Sequence, residues 1–476
     1  MICEKESLSR YELGSFGDER LKKNIALLHQ GIVRHETVCL NRATDANRPR
    51  SRAVSRALRN PAVNLSQLKQ NITQKVQSAA RGIEHVLSIQ DWSEMDYRSK
   101  LGKNHLKCLS VNGNIGAYQL HPMIVLDAST KDCLGIASIN YHIRYETRTS
   151  KEEYKSLPVE EKNSYVWIKT AQEAKRNLLG AKQITVIGDR EEDFYMAFVQ
   201  IPDEKTHLLT RVHNDRYLAD GETKLYEWMD ALVIQGSYTL KLQARVKKEN
   251  FKEVKKRQAR EGKIKVSFAE VEIKKPKNCV DLGAPPSLKV WVINAKESPE
   301  SVPEGEEPIH WRLITTHEVK TLEKAMEVLG WYTLRWEIEQ FFRTLKKKGL
   351  DIESSQLEDE EALIKLAMIA TQAVVSIMQL LKARDGNERR PASDIFSEEE
   401  IETLKAVEKK VEGRTLKQKN AFKKYTLSWA SWIIARLGGW DVYCSSPAGP
   451  ITMSRGLREF YSMFRGWLIA KDLVPD

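Results

Sequence analysis

The sequence predicts an α/β (α+β) chain: a mixed-sheet catalytic core with an inserted β-rich subdomain, flanked by helical amino- and carboxyl-terminal domains. Three observations predict it. The first 80 residues are basic and carry helical periodicity. From His85 short apolar runs of strand character take over, two of them stopping at an aspartate, and the last quarter returns to helical patterns rich in Trp, Phe and Leu. A chain of 476 residues exceeds one core. We place the divisions at 1–80, 81–383 (with the insertion at about 200–320) and 384–476.

Composition narrows the class. With 41% hydrophobic and 30% charged residues the chain reads as globular. No apolar run approaches the roughly 20 residues of a membrane helix, and the start, MICEKESLSR, is too charged for a secretion signal. A cytoplasmic protein without a membrane partner is expected. Cys3, Cys39, Cys108, Cys133, Cys279 and Cys444 are scattered without a CxxC pair, which argues against structural zinc and for reduced, buried thiols. The net charge of +11 suggests a polyanionic partner.

The amino-terminal excess is local, with 14 Lys+Arg against 7 Asp+Glu in residues 1–80. A helical pattern runs from Asp18 to about Val33, with Leu21, Ile25, Leu28 and Ile32 on one side. An Arg-dense segment follows, with Arg48, Arg50, Arg52, Arg56 and Arg59, ending at Asn60-Pro61, and then a second helix from about Leu65 to Ala80. Small basic helices joined by short turns suit groove binding, where phosphate contacts supply affinity. A solvated basic surface would share this composition.

HVLSIQD stops at Asp91, and GAYQLHPMIVLDAS and CLGIASINYHIRY read as two strands around a turn at Thr130 to Asp132. Tyr165 to Leu179 reads as a helix, and QITVIGD stops at Asp189. Ligands gather outside the carboxyl ends of strands in such sheets, so the two aspartates are expected to converge. Each taken alone is an ordinary turn or cap residue. SYTLKLQARV, IKVSFAEVEI and LKVWVINA then mark the β-rich insertion, whose segment 244–277 holds 13 Lys+Arg against 5 Asp+Glu. That charge serves either solubility or the holding of DNA.

The most informative stretch is Tyr332 to Lys346, YTLRWEIEQFFRTLK, which reads as one helix. At roughly 100° per residue, Tyr332, Arg335, Trp336, Glu339, Arg343 and Lys346 gather on one side, and Leu334, Ile338, Phe341 and Leu345 on the other. Ordinary i,i+4 pairing would account for part of that charge. With Asp91 and Asp189, Glu339 supplies the hard oxygen ligands for metal-assisted phosphoryl transfer on two divalent ions about 3.5–4 Å apart.

The series Y-x2-R-x3-E-x6-K, formed by Tyr332, Arg335, Glu339 and Lys346, resembles the signature of the insertion sequence 4 family of bacterial DDE transposases. DREEDF from Asp189, IQD ending at Asp91, the segments SFGDERL and LRNPAVN, and ARLGG near the end are similar to other parts of that family. The family places threonines after its first aspartate where this chain has Trp92-Ser93, which keeps Asp96 as a weaker candidate.

The resemblance implies a ribonuclease-H-like core and a cut-and-paste reaction passing through a DNA hairpin. It implies Mg²⁺, with Mn²⁺ also accepted, two ions to a site held by Asp91, Asp189 and Glu339. Tyr332, Arg335 and Lys346 would assist at the phosphates. It further implies DNA contacts by Arg211 and by Trp311, the latter near a flipped base, although a tryptophan in an apolar strand is ordinarily core. Trp336, on the charged helix face, is the better placed aromatic for DNA. The partners would be double-stranded DNA, both transposon ends and target, and a second copy of the chain in a synaptic homodimer associated with the nucleoid. A nuclease or resolvase that does not join strands, and a non-catalytic DNA-binding inhibitor of transposition, are the competing readings.

After Gly349 the sequence predicts a long apolar helix, ALIKLAMIATQAVVSIMQLLKAR, then a charged helical linker at 384–421. A terminal segment rich in Trp, Phe and Leu follows, forming either a small core or a helix interface.

Overall fold

The computed structural model describes residues 8, 10–97, 117–143, 150–249, 252–346, 349–384, 386, 390–443 and 446–473. Two compact units share the chain: Met1–Thr147, Glu173–Lys182 and Trp336–Asp476 form the first, Arg148–Gln172 and Gln183–Arg335 the second.

The first unit begins with capped helices. Asp18 accepts the Arg20 N–H at 2.7 Å and opens α1, Glu19–His35, which buries Leu21, Ile25, Leu28 and Ile32. Asn47 caps α2, Arg48–Arg59, with Pro49 in the first turn where its missing N–H costs nothing. Val54, Ala57 and Leu58 of α2 are buried. Asn64 caps α3, Leu65–Ala79, which packs on strand β4 described below.

Strands β1 (His85–Gln90), β2 (Ser93–Asp96), β3 (Ala117–Asp127) and β4 (Cys133–His142) follow, with β1, β2 and β4 each antiparallel to β3. β1 and β2 pair in succession with β3, and β4 also pairs with β3. Helix α4, Tyr165–Asn177, runs from one unit's segment into the other's. Its Glu173 takes Lys69 Nζ at 2.5 Å and the Ser138 hydroxyl at 2.6 Å.

The second unit holds a mixed sheet. β5 (Gln183–Ile187) leads through α5 (Tyr195–Gln200) to β6 (Thr206–Arg211), and these two strands are parallel. After α6 (Leu225–Asp230) come β7 (Gly236–Leu242), β8 (Arg245–Glu249), β9 (Lys252–Arg257), β10 (Arg260–Lys274), β11 (Ser287–Glu297) and β12 (His310–Thr315). β12 pairs antiparallel with β6, and the sheet continues antiparallel through β11 and β10 to β7. SYTLKLQARV is not one strand. β7 ends at Leu242 with its pairing to β10, and the chain then enters the separate two-stranded β8–β9 ribbon. Thr321 caps α7, Leu322–Thr333.

The 332–346 stretch is likewise two elements. The Leu334 and Arg335 N–H groups bond three residues back, to Trp331 and Tyr332, and the Thr333 hydroxyl takes the Gly330 carbonyl at 2.6 Å. Tightened i→i−3 bonds and a competing hydroxyl break the α ladder without Pro or Gly. A new helix, α8, Trp336–Leu345, starts in the first unit.

Helix α9, Glu360–Ala383, is the hub of the first unit and packs against α1, α2, α3, β4 and α8. By length and composition it is apolar enough to cross a membrane, contrary to the expectation that no such run exists. In the fold, 89% of its most apolar window is buried. The charged 384–421 segment contains a packed helix, α10, Glu398–Val411, opened by a Ser397/Glu400 capping box. Glu400 is buried between Arg10 and Arg34, and Glu408 accepts Trp429 Nε1 at 2.7 Å. Paired carboxylates give this segment a buried face that its few apolar residues do not announce.

Helices α11, Leu427–Leu437, and α12, Pro450–Leu473, complete the unit and cross closely. A Cβ on Gly456 would lie 1.9 Å from the Ile434 carbonyl oxygen, and one on Gly438 2.0 Å from that of Thr452. Of the cysteines, Cys133 is buried but Cys39 is exposed and Cys279 partly so. Cys3, Cys108 and Cys444 lie outside the described residues. The chain is thus a mixed-sheet protein with helical amino- and carboxyl-terminal regions.

Candidate active site

Asp91 occupies a gap in a ladder. Gln90 pairs with Met123 and Ser93 with Leu120, so Asp91 and Trp92 lie between two stretches paired to one strand. The Trp92 N–H turns instead to Asp91 Oδ1 at 2.8 Å. Pairing resumes at Ser93 in the same register, so Trp92-Ser93 interrupts the ladder without shifting it. Asp96 ends β2 opposite Ala117 and gives its N–H to Glu353 Oε1 at 3.1 Å.

α8, which packs against β1, carries Glu339 half-buried. Ile338, Phe341 and Leu345 are buried as the periodicity predicts. Glu337 is committed to Lys382 at 2.6 Å. Trp336 is 52% exposed and Arg343 is exposed. Lys346 Nζ meets Glu353 at 3.1 Å and the Glu94 carbonyl at 2.5 Å. This ties the end of α8 to β2.

Asp189 follows β5 by two residues and caps the 3₁₀ turn Arg190–Glu192, its Oδ1 accepting the Glu191 N–H at 2.7 Å. Its carbonyl receives the Thr210 hydroxyl from β6. The next turn is locked by buried Asp193, which accepts the His213 and Asn214 N–H groups at 2.7 and 2.8 Å and pairs with Arg216.

Near Asp189 the second unit gathers an aromatic hydroxyl and three cations. Burial pushes the Tyr332 hydroxyl up to about 12, with Arg335, Arg211 and Arg190 pulling it down and Asp189 pushing it up. Burial lowers Arg211, and the neighbouring Arg190 adds to this. Arg211 also donates to the His310 carbonyl at 3.0 Å. Tyr332 therefore stays protonated at neutral pH as a donor, among groups of net positive charge. Arg190 was missed by sequence reasoning, although it directly follows Asp189 in DREEDF. Trp311 is half-buried on β12 opposite Ala295, not a core residue. Beside it Arg312 lies over the Tyr226 ring at 4.4 Å and pairs with Asp230 at 2.6 Å.

The break at 334–335 divides the signature between units: Tyr332 and Arg335 lie with Asp189, while Glu339 and Lys346 lie with Asp91. Among the described residues no group of three or more His, Cys, Asp or Glu side chains is gathered to hold a metal. The donor chemistry nonetheless suits a hard divalent ion, since all three candidates are carboxylates. On α2, Arg48, Arg50, Arg52, Arg56 and Arg59 are all exposed.

Residues 199–375 match the family model of the transposase DDE domain, and the chain carries such a domain over this part of its length. The match includes Arg211, Trp311, Tyr332, Arg335, Trp336, Glu339, Arg343 and Lys346. Asp91, Asp189 and the α2 arginines lie outside it.

Proposed function

We propose that this protein is a cut-and-paste DNA transposase of the insertion sequence 4 type, with a ribonuclease-H-like core and a likeness to the transposase of transposon 5. The observation that carries the reading is the transposase DDE match, which contains Tyr332, Arg335 and Glu339 together with Arg211. The grouping of Tyr332, Arg211 and Arg335 around Asp189 supports it.

In this reading Asp91, Asp189 and Glu339 hold two Mg²⁺ or Mn²⁺ ions, which when bound supply charge stabilisation at the attacking and leaving oxygens of the scissile phosphate. Arg335, Arg211 and Arg190 position the phosphates by charge-assisted hydrogen bonds. Tyr332, held protonated, donates to a phosphate oxygen. Trp336 and Trp311 offer ring faces to unstacked bases. The α2 arginines bind the transposon end. Hydrolysis frees a 3′-OH, which attacks the opposite strand to give a hairpin and release the flanking DNA. Water reopens the hairpin and regenerates the 3′-OH, which then attacks a target phosphodiester, joining to its phosphorus and releasing the target's own 3′-OH. A homodimer pairs two ends through the carboxyl-terminal helices.

A linear fragment carrying the gene and its native flanks, incubated with Mg²⁺ and the protein or its Glu339→Gln variant, tests this on a denaturing gel. Wild type is expected to cut at two inverted repeats and leave a hairpin-sized product. Glu339→Gln is expected to bind the fragment without cutting it, and retained cleavage by this variant would remove Glu339 from the chemistry.

A further inference from the structure

A cleft of about 1060 Å³ opens within the first unit, lined by chain segments far apart in sequence. The turn Leu40–Ala43 and α2 contribute Arg42, Arg52 and Arg59, and α12 contributes Arg458 and Arg465. Each pair follows helical spacing. Arg52 and Arg59 lie two turns apart on one side of α2, and Arg48, Arg50 and Arg56 do not line the cleft. Arg458 and Arg465 are likewise two turns apart on α12, whose Phe460, Tyr461 and Phe464 are buried.

Three carboxylates, Glu36, Asp45 and Asp351, line the cleft against five arginines. Asp45 is bridged by Arg465 at 3.1 Å and by His35 Nε2 at 3.0 Å. Arg465 also donates to His35 Nδ1 at 3.2 Å, so His35 is the neutral Nε2–H tautomer, in accord with a pKa lowered by burial. Glu36 accepts the Ser454 hydroxyl, and burial pushes its carboxyl up to about 8, leaving it largely uncharged at neutral pH. Arg42, Arg52, Arg59 and Arg458 have no ion-pair partner among the described residues. Unpaired guanidinium forks brought to one cleft by a turn and two helices match a run of phosphates better than one small anion.

We propose that this cleft seats the sugar–phosphate backbone of duplex DNA, with Arg458 of α12 gripping phosphate alongside Arg52 and Arg59 of α2 in the same chain. The carboxyl-terminal helix then binds DNA directly, beyond any part it has in pairing protomers. The proposal rests on the DNA-binding reading above.

The test titrates a short labelled duplex with the full chain across a salt series and follows anisotropy. Four variants join the wild type: Arg458→Ala, Arg458→Lys, Arg59→Ala, and Arg455→Ala as a control on the same helix outside the cleft. Arg458→Ala and Arg59→Ala are each expected to weaken binding several-fold and to reduce the slope of log affinity against log salt by about 1. Arg458→Lys keeps the slope, and Arg455→Ala behaves as wild type. Arg458→Ala matching Arg455→Ala overturns the proposal, as does tighter binding, which would make α12 an obstruction. A wild type that binds no duplex at all overturns the transposase reading itself.

Discussion

Glu36 closes α1 with a left-handed backbone, φ 47°, and carries a carboxyl that the fold keeps protonated. Its folded pKa lies above the unfolded value. The stability tied to this group is therefore complete below the ordinary glutamate range and is lost as pH rises through about 8. Glu36→Gln, which keeps the shape without the titration, is expected to flatten the decline of Tm between about pH 5 and pH 9. Differential scanning fluorimetry checks this, and an unchanged decline would mean that Glu36 ionises freely. Nothing local in the sequence marks Glu36, because its surroundings are completed by Ser454 and Arg458 from the far end of the chain. Asp91 and Asp189 were legible as residues that end strands. The partners of Lys346 were not legible, because Glu353 and the Glu94 carbonyl reach it from other elements.

Helices and strands were read well where one buried face repeats. α1, α3, β1, β3, β5 and α9 stand within a few residues of their expected bounds, because capping residues and apolar periods are local, whereas the Arg-dense segment proved to be a helix of its own, α2. Two elements resisted. The stretch from Tyr332 to Lys346 has unbroken helical periodicity, but the hydrogen bonds of Leu334 and Arg335 tighten into a turn. α10 looks like a linker because its burial depends on Glu400 and Glu408 finding partners elsewhere. At this scale the crossing of α11 and α12 depends on Gly456. Gly456→Val would drive side-chain atoms into the Ile434 carbonyl and is expected to cost about 1–3 kcal/mol. Urea denaturation of the variant measures the loss. A change below about 0.5 kcal/mol would show that the helices separate without penalty.

For the whole molecule, the proposed pairing of two protomers has a candidate surface. α12 buries Phe460 and Phe464 but leaves Met463, Trp467 and Ile469 exposed, at 39%, 36% and 62%. Trp467→Glu is expected to leave single-end DNA binding within about twofold while abolishing complexes that hold two ends, since charge is excluded from the apolar core of an interface. Sedimentation velocity with one labelled end distinguishes the species. Two-end complexes persisting in the variant would place the contact elsewhere.

The sequence by itself determined the class of elements, the basic amino-terminal helices, the aspartates that close strands and the signature around Glu339. Each of these is written in residues close along the chain, where backbone periodicity and capping chemistry act. Tertiary structure alone decided that the 332–346 stretch breaks into two helices at 334–335, that Arg211 and Arg190 join Tyr332 around Asp189, and that Arg458 shares a cleft with Arg59. Charge, burial and partnership at those sites are set by groups distant in sequence, and only packing brings such groups within range of one another.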